Sequence, residues 1–192
     1  LQNNFRENVE NEKIEVGNSF FQDIETYIHL IKKWNKVHNL TRMNESEIYH
    51  SIFDSIIPLK FVEFQTLLDI GSGAGFPAIP IALACRDKTI ILVEPLKKKS
   101  SFLHYLKTSL NLTNIKIYSD RVENLNIPKV DLVTSRAVTN TETLINLAQP
   151  FAKSGGKLLF YKGSNLPTEI QNITLNYRIE KRENRNYLLI DT

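Results

Sequence analysis

The chain carries one cysteine, Cys85, which excludes an intrachain disulfide and any metal site built from several thiolates. Cys85 ends the run "IPIALAC", which reads as a helix, and is expected to be a small core residue and not a reactive thiol. No apolar run approaches the roughly 20 residues that a membrane-spanning helix requires. The polar opening "LQNNFRENVE" lacks the form of a signal peptide, so the expected compartment is the cytoplasm. Internal repeats and low-complexity linkers are also missing. Net charge is scarce: a formal +3 with a pI near 8.9 permits nucleic-acid binding without requiring it. What positive charge there is gathers locally, in "KKWNK", "LKKKSS" and "YRIEKRENR", and any one of these alone is ordinarily a solvated face. An apolar fraction of 42% with 23% charged residues is enough for one soluble, cored domain, expected to be a monomer.

Patterning divides the chain in two. Over Ser19 to Val37, Phe20, Phe21, Ile24, Tyr27, Ile28, Ile31 and Trp34 recur at spacings of three and four, the stripe of an amphipathic helix and more a core face than a base-stacking platform. "NLTRMN" interrupts it, and Asn44 with Glu47 forms a capping signal for a second helix from Glu45 to about Ile57, stopped at Pro58. Beyond Gln65, strands alternate with helices: "TLLDI", "TIILVE", "IKIYS", "VDLVTSRA" and "GGKLLFYKG" are strands, with helices over "AIPIALAC", "KKKSSFLHYLKTSLN" and "TETLINLAQPF". Alternation of this kind implies a parallel sheet with right-handed crossovers. "NYRIEKRE" and "RNYLLIDT" close the chain as an antiparallel hairpin. The expected fold is α/β and Rossmann-like: a helical extension over residues 1–58 packed on a core of residues 59–192.

The stretch "LLDIGSGAGFP", Leu67 to Pro77, follows the first strand directly, where open parallel sheets collect ligands. A phosphate-binding P-loop needs Gly-Lys-Ser/Thr at the helix start, and Phe76-Pro77 stands there instead. A dinucleotide site needs G-x-G-x-x-G, whereas the glycines here, Gly71, Gly73 and Gly75, are spaced G-x-G-x-G with Phe76 in the place of the last one. That weakens a NAD-dependent oxidoreductase without eliminating it. S-adenosylmethionine has no pyrophosphate but carries an ammonium and a sulfonium group. Asp69, just before the glycines, suits such a cation and would repel a pyrophosphate. Glu94 closes the second strand and can accept hydrogen bonds from ribose hydroxyls, a feature shared with NAD sites. "SDRVENL" after the third strand supplies Val122 and Glu123 where adenine is held in class I methyltransferases; Asp120 there is also readable as a surface acid.

From Trp34 onward the chain resembles the bacterial small-subunit rRNA guanine-N7 methyltransferase family, also called the glucose-inhibited division protein B family. The resemblance runs through "WNKVHNLT", "HSIFDS", "LLDIGSGAGFPAIPIA", "VEPLKKKSSFL", "DRVENL", "TSRAV", "FYKG" and "RNYLLI" in the family's order. One departure is Ala78, where the family usually has glycine. The resemblance implies a class I S-adenosylmethionine-dependent methyltransferase fold with a mostly parallel sheet, N-terminal helical cap and C-terminal hairpin. It also implies methylation of N7 of one guanine in 16S rRNA, within the 530 loop, with the rRNA or the small ribosomal subunit as partner.

Chemistry agrees with that implication. Many amino-methyltransferases carry an Asn/Asp-Pro-Pro-Tyr motif after the fourth strand, and here the position reads "TSRA". Guanine N7 has a free lone pair and no proton, so in-line transfer needs positioning and no general base. Arg136 is the expected catalytic residue and a cofactor contact, able to give two hydrogen bonds to guanine O6 or to backbone oxygens. Cofactor contacts are expected from Asp69, Gly71, Gly73, Gly75, Phe76, Glu94, Val122, Glu123 and Arg136; the resemblance further implies RNA contacts from Lys98, Arg121, Lys162 and Arg185, each of which alone reads equally as a solvated cation. Asn39, Thr41, His50 and Asp54 match polar family positions ahead of the sheet. His50 and Asp54, four apart on one helix face, are expected to clamp the helices onto the sheet more than to close over the cofactor. A methyltransferase of another RNA or a small molecule, and a non-catalytic RNA-binding factor, are the remaining alternatives.

Overall fold

The computed structural model describes residues 1–136, 138–182 and 185–192. Three helices come first: α1 (Gln2–Asn11), α2 (Phe20–His38) and α3 (Glu45–Ile56). Then follow β1 (Thr66–Ile70), α4 (Ala78–Ala84), β2 (Thr89–Val93), α5 (Lys97–Ser109), β3 (Ile115–Tyr118), β4 (Val130–Arg136), α6 (Thr141–Ala148) and β5 (Ala152–Lys162). A four-residue helix α7 (Leu166–Glu169) leads to β6 (Tyr177–Arg182) and β7 (Arg185–Asp191). The seven strands form one sheet in the order β3-β2-β1-β4-β5-β7-β6. The first five run parallel, and β7 joins β5 antiparallel, with β6 outermost. The hairpin expected of the tail is therefore present, though its turn residues, and Ala137 of "TSRAV", lie outside the described residues.

Both faces of the sheet are buried, as the near-continuous apolar runs of its central strands require. Leu67, Ile90, Leu92, Leu132 and Leu159 face α2 to α5, and the same apolar cluster takes in Phe5 and Val9 of α1. Leu68, Ile91, Val93, Val133 and Phe160 face the other way, onto Leu144, Ile145 and Ala148 of α6. At α3 the anticipated capping box is complete: the Asn44 side chain accepts from Glu47 N–H at 3.0 Å, and Asn44 N–H donates to Glu47 Oε2 at 2.7 Å.

Two features depart from the sequence pattern. α1 was read only as a polar opening, because two apolar residues in ten make a faint stripe; it is ordered by Phe5, whose ring lies 5.5 Å from Tyr49 and 6.4 Å from Phe20. Cys85 falls just past the end of α4 and not inside the helix. Burial pushes its thiol up to about 11, which agrees with an unreactive role.

The amino end of β1 is pinned by one side chain. Asp131 Oδ2 accepts from the N–H groups of Gln65 and Thr66 at 2.9 and 2.8 Å and from the Thr66 hydroxyl at 2.9 Å. Its Oδ1 takes Lys153 Nζ at 2.6 Å. That ion pair, with the two backbone donors, holds the carboxyl well below the usual range despite partial burial. A depressed carboxyl contributes stability above its unfolded value and loses it as pH falls. Asp131→Ala is expected to lower the free energy of unfolding in urea by about 1–3 kcal/mol at neutral pH. The deficit should shrink below about pH 4.

Candidate active site at the carboxyl ends of β1, β2 and β4

The strand order reverses between β1 and β4, so the loop after β1 opens at the crevice where doubly wound sheets bind ligands. The loop is tied down from β2. Gly71 and Ser72 N–H both donate to the Val93 carbonyl, at 2.9 and 3.1 Å. Gly73 N–H donates to Glu94 Oε2 at 2.8 Å, and Leu96 N–H to Glu94 Oε1 at 2.9 Å. From α2, the fully buried Tyr27 donates its hydroxyl to the Ala74 carbonyl at 2.8 Å. Tyr27 appeared in the sequence as one more residue of a core stripe, and its hydroxyl is the part that the periodicity does not reveal.

Gly71 and Gly75 are required by shape as well as by backbone. Gly71 has φ +75°, and a Cβ there would meet Val138 Cγ2 at 2.5 Å. At Gly75, φ is +105° and a Cβ would come within 2.6 Å of Ile79 Cγ1 and 2.8 Å of the Tyr27 hydroxyl. Next in the chain, Phe76 is buried, with its ring centroid 5.6 Å from that of Tyr27 and 5.9 Å from the Arg136 guanidinium carbon over it.

β1 and β4 meet in register, Asp69 opposite Thr134 and Ile70 opposite Ser135. The Thr134 hydroxyl donates to Asp69 Oδ1 at 2.8 Å, and the Ser135 hydroxyl to the Ile70 carbonyl at 2.9 Å. In "TSRA" only Arg136 stands out by residue type. The cross-strand register, not visible before pairing, assigns Thr134 and Ser135 their role. Asp69 is fully buried, and its Oδ2 has no hydrogen-bond partner among the described residues. Burial raises its pKa to about 7; the Ser72 and Thr134 hydroxyls pull it back, and Glu94 adds to the rise.

Arg136 ends β4 and reaches into the helical cap. It donates to the Ser51 hydroxyl at 3.1 Å and the Ser51 carbonyl at 3.4 Å, and lies 3.5 Å from Asp54 Oδ2. Asp54 is buried and also takes Arg185 Nε at 2.9 Å and the Tyr187 hydroxyl at 2.7 Å. One carboxylate on α3 thus joins the ends of β4 and β7, the clamp expected of it, whereas His50 on the same helix is exposed. Asn39 is a left-handed helix cap, and Thr41 exchanges backbone hydrogen bonds with the Asn35 side chain, so these two form the turn between α2 and α3.

The remaining residues are divided. Lys98 and Arg121 are exposed at the start of α5 and after β3. Val122 is buried and Glu123 exposed in a single 3-10 turn, Val122–Asn124; Asp120 just before it accepts from Arg121 N–H at 2.7 Å and from the Asn124 side-chain amide at 2.9 Å. Lys162 departs from expectation: it is buried, with Nζ 2.8 Å from Glu169 Oε2 and 3.0 Å from the Thr139 carbonyl. Glu169 also accepts from Thr141 N–H at 2.9 Å. In this arrangement Lys162 braces the segment between β4 and α6 and does not present its charge on the rim; its partner sits on a short helix that the strand pattern did not disclose.

The residues present fit S-adenosylmethionine. An orphaned, buried carboxylate oxygen suits a cationic group, and Glu94 holds the loop with one hydrogen bond per oxygen, leaving acceptor capacity for hydroxyls. Comparison with known proteins agrees on the class. A SAM-dependent methyltransferase from Aquifex aeolicus superposes with a TM-score of 0.62 at 13% identity, over 83% of this chain and 96% of that one. TYW2 from M. jannaschii in complex with AdoMet gives 0.55 at 14% identity, over 79% and 76%. The fold is that of the class I methyltransferases. In sequence, the family model for rRNA small subunit methyltransferase G matches residues 21–191. Ribosomal RNA small subunit methyltransferase G of Aliarcobacter butzleri is 40% identical over 95% of both chains. Its counterpart in Helicobacter bizzozeronii is 48% identical over 77% of this chain and 84% of the relative. The chain belongs to the rRNA small subunit methyltransferase G family.

Gly75→Ala is expected to be costly: a strained left-handed alanine plus the contacts with Ile79 and Tyr27 should remove about 2 kcal/mol or more of stability and lower the melting temperature. Gly163→Ala, with nothing within 4 Å of its added methyl, should leave the melting temperature within about a degree of the parent.

Proposed function

We propose that the protein transfers the methyl group of S-adenosylmethionine to N7 of one guanine in 16S rRNA, in the 530-loop region. The observation that carries this reading is the row Asp69–Thr134, Ile70–Ser135, Arg136 at the end of β4, beside the glycine loop. Its side chains hold the sheet together and offer hydrogen-bond donors, without the Asn/Asp-Pro-Pro-Tyr motif that accepts hydrogen bonds from an exocyclic amine undergoing methylation. When bound, S-adenosylmethionine supplies an electrophilic methyl on a sulfonium centre. Asp69 and the glycine loop would hold the tail and Glu94 the ribose, with Val122 and Glu123 beside the adenine.

Guanine N7 attacks with its own lone pair, so no proton has to be removed in the step, and rate comes from alignment and electrostatics. Arg136 is the residue placed to orient the base. Its guanidinium is already fixed by Ser51 and Asp54, so little of its freedom is lost when substrate arrives. Lys98 and Arg121 are exposed cations suited to RNA phosphates, and Arg185 enters through its Nε bond to Asp54 with its terminal nitrogens unbonded among the described residues. Family membership and the relatives' names support an rRNA substrate. No helix among the described residues is long and apolar enough to cross a membrane.

The test is methyl transfer from labelled S-adenosylmethionine to small ribosomal subunits from a strain lacking the gene, with the modified base mapped. Label on N7 of one 16S guanine is expected, and Arg136→Ala should reduce kcat by roughly 100-fold. Cofactor binding without transfer to subunits or rRNA would turn the assignment toward a small-molecule substrate. Lys98→Ala and Arg121→Ala should each flatten the salt dependence of subunit binding by about one charge.

A further inference from the structure

Outside the span that the family model matches stands Glu12, just past the end of α1. Two cations from distant elements converge on its carboxylate. Lys60, from the 3-10 turn Ile57–Lys60 after α3, places Nζ 2.5 Å from Oε2. Arg182, the last residue of β6, grips it in fork fashion, with one terminal nitrogen 2.8 Å from Oε1 and the other 3.1 Å from Oε2. The two bonds hold the Glu12 carboxyl below its ordinary range, the Lys60 bond being the larger influence. A planar guanidinium with an ammonium beside it binds the oxygens of a carboxylate and those of a phosphodiester in the same geometry.

The location matches that chemistry. In the hairpin register Arg182 lies opposite Arg185, and Lys162 of β5 pairs with Asn186, so the turn end of the hairpin stands at the carboxyl ends of the parallel strands. Glu12, Arg182 and Arg185 line a cavity of about 380 Å³, whose wall also carries Asn8, Asn11 and His50. Arg185 in turn shares Asp54 with Arg136. A chain of cations therefore leads from the proposed catalytic arginine to Lys60, and Glu12 closes its far end.

We propose that Lys60 and Arg182 form a phosphate subsite for the RNA strand, and that Glu12 occupies it as an internal stand-in which the RNA displaces. This rests on the reading of the substrate as RNA. It makes α1 a competitor for the substrate as well as a packing element, so that RNA of the right shape must exchange with a carboxylate to seat on the hairpin. Exposed pairs of this kind are weak enough to exchange: the side chains of Glu12, Lys60 and Arg182 retain 25%, 32% and 43% of their exposure.

The experiment is equilibrium binding of unmethylated small ribosomal subunits to the full chain across roughly 50 to 200 mM salt. Glu12→Gln keeps the shape and removes the charge. It should tighten binding by about 3- to 10-fold at the low end and steepen the slope of log K against log salt by about one. Arg182→Met, which leaves α1 untouched, should weaken binding and flatten the slope by about one, and should abolish the gain when combined with Glu12→Gln. If Glu12→Gln binds no tighter, or Arg182→Met leaves affinity and slope unchanged, Glu12 is only a strap between α1 and the hairpin and the proposal falls. Wild-type protein is the separate control. Its failure to bind or methylate subunits would overturn the RNA reading itself, whereas normal methylation with indifferent variants would overturn the subsite alone.

Discussion

A carboxylate buried without a full set of partners is the constraint around which the site is built. Asp69, next to last in β1, has no exposed surface, holding one hydroxyl from Thr134 and leaving Oδ2 unpartnered among the described residues. Such a group is expensive to ionise, which is why its pKa lies near 7 and why at neutral pH it weakens the fold. The sign follows from proton binding: the folded chain holds a proton that the unfolded chain releases, so this contribution declines as pH rises from about 4 toward 7. The rest of the neighbourhood makes the arrangement tenable. Two sheet neighbours, β2 and β4, fix the strand on both sides, Glu94 and Val93 hold the glycine loop that follows, and Tyr27 supports it from the helical layer.

The helical cap is part of the same construction and not a separate appendage in energetic terms. Its α3 supplies Ser51 and Asp54, which set the direction of Arg136, and α2 supplies Tyr27. Asp54 serves two guanidinium groups and a phenol at once, so this cluster at the carboxyl edge of the sheet carries more positive than negative charge. That edge faces the polyanion proposed as substrate. The modest net charge of the chain is compatible with RNA binding where cations gather locally, as they do around Asp54.

Much of this was legible in the sequence wherever the cause is local. The capping box at Asn44, the alternation of strands and helices, the spacing of Gly71, Gly73 and Gly75, and Glu94 at the end of its strand each depend on neighbours a few residues away. What was missed depends on pairing at a distance. Lys162 looked like a surface cation until Glu169 on α7 and Thr139 closed around it. Thr134 and Ser135 acquire their roles only from register with β1. α1 has too few apolar residues to announce itself and is ordered by the aromatic rings it meets, and the exchange between Glu12 and Arg182 spans nearly the whole chain. The turn of the terminal hairpin, read from the sequence, lies outside the described residues.

The most direct measurement is the number of protons released when S-adenosylmethionine binds, obtained by calorimetry near pH 6 in buffers of different ionisation enthalpy. With Asp69 largely protonated in the free protein at that pH and ionised beside a cationic ligand, release approaching one proton is expected, falling toward zero in Asp69→Asn. Binding of the wild-type protein with no proton release, or with release unchanged in Asp69→Asn, would contradict the account.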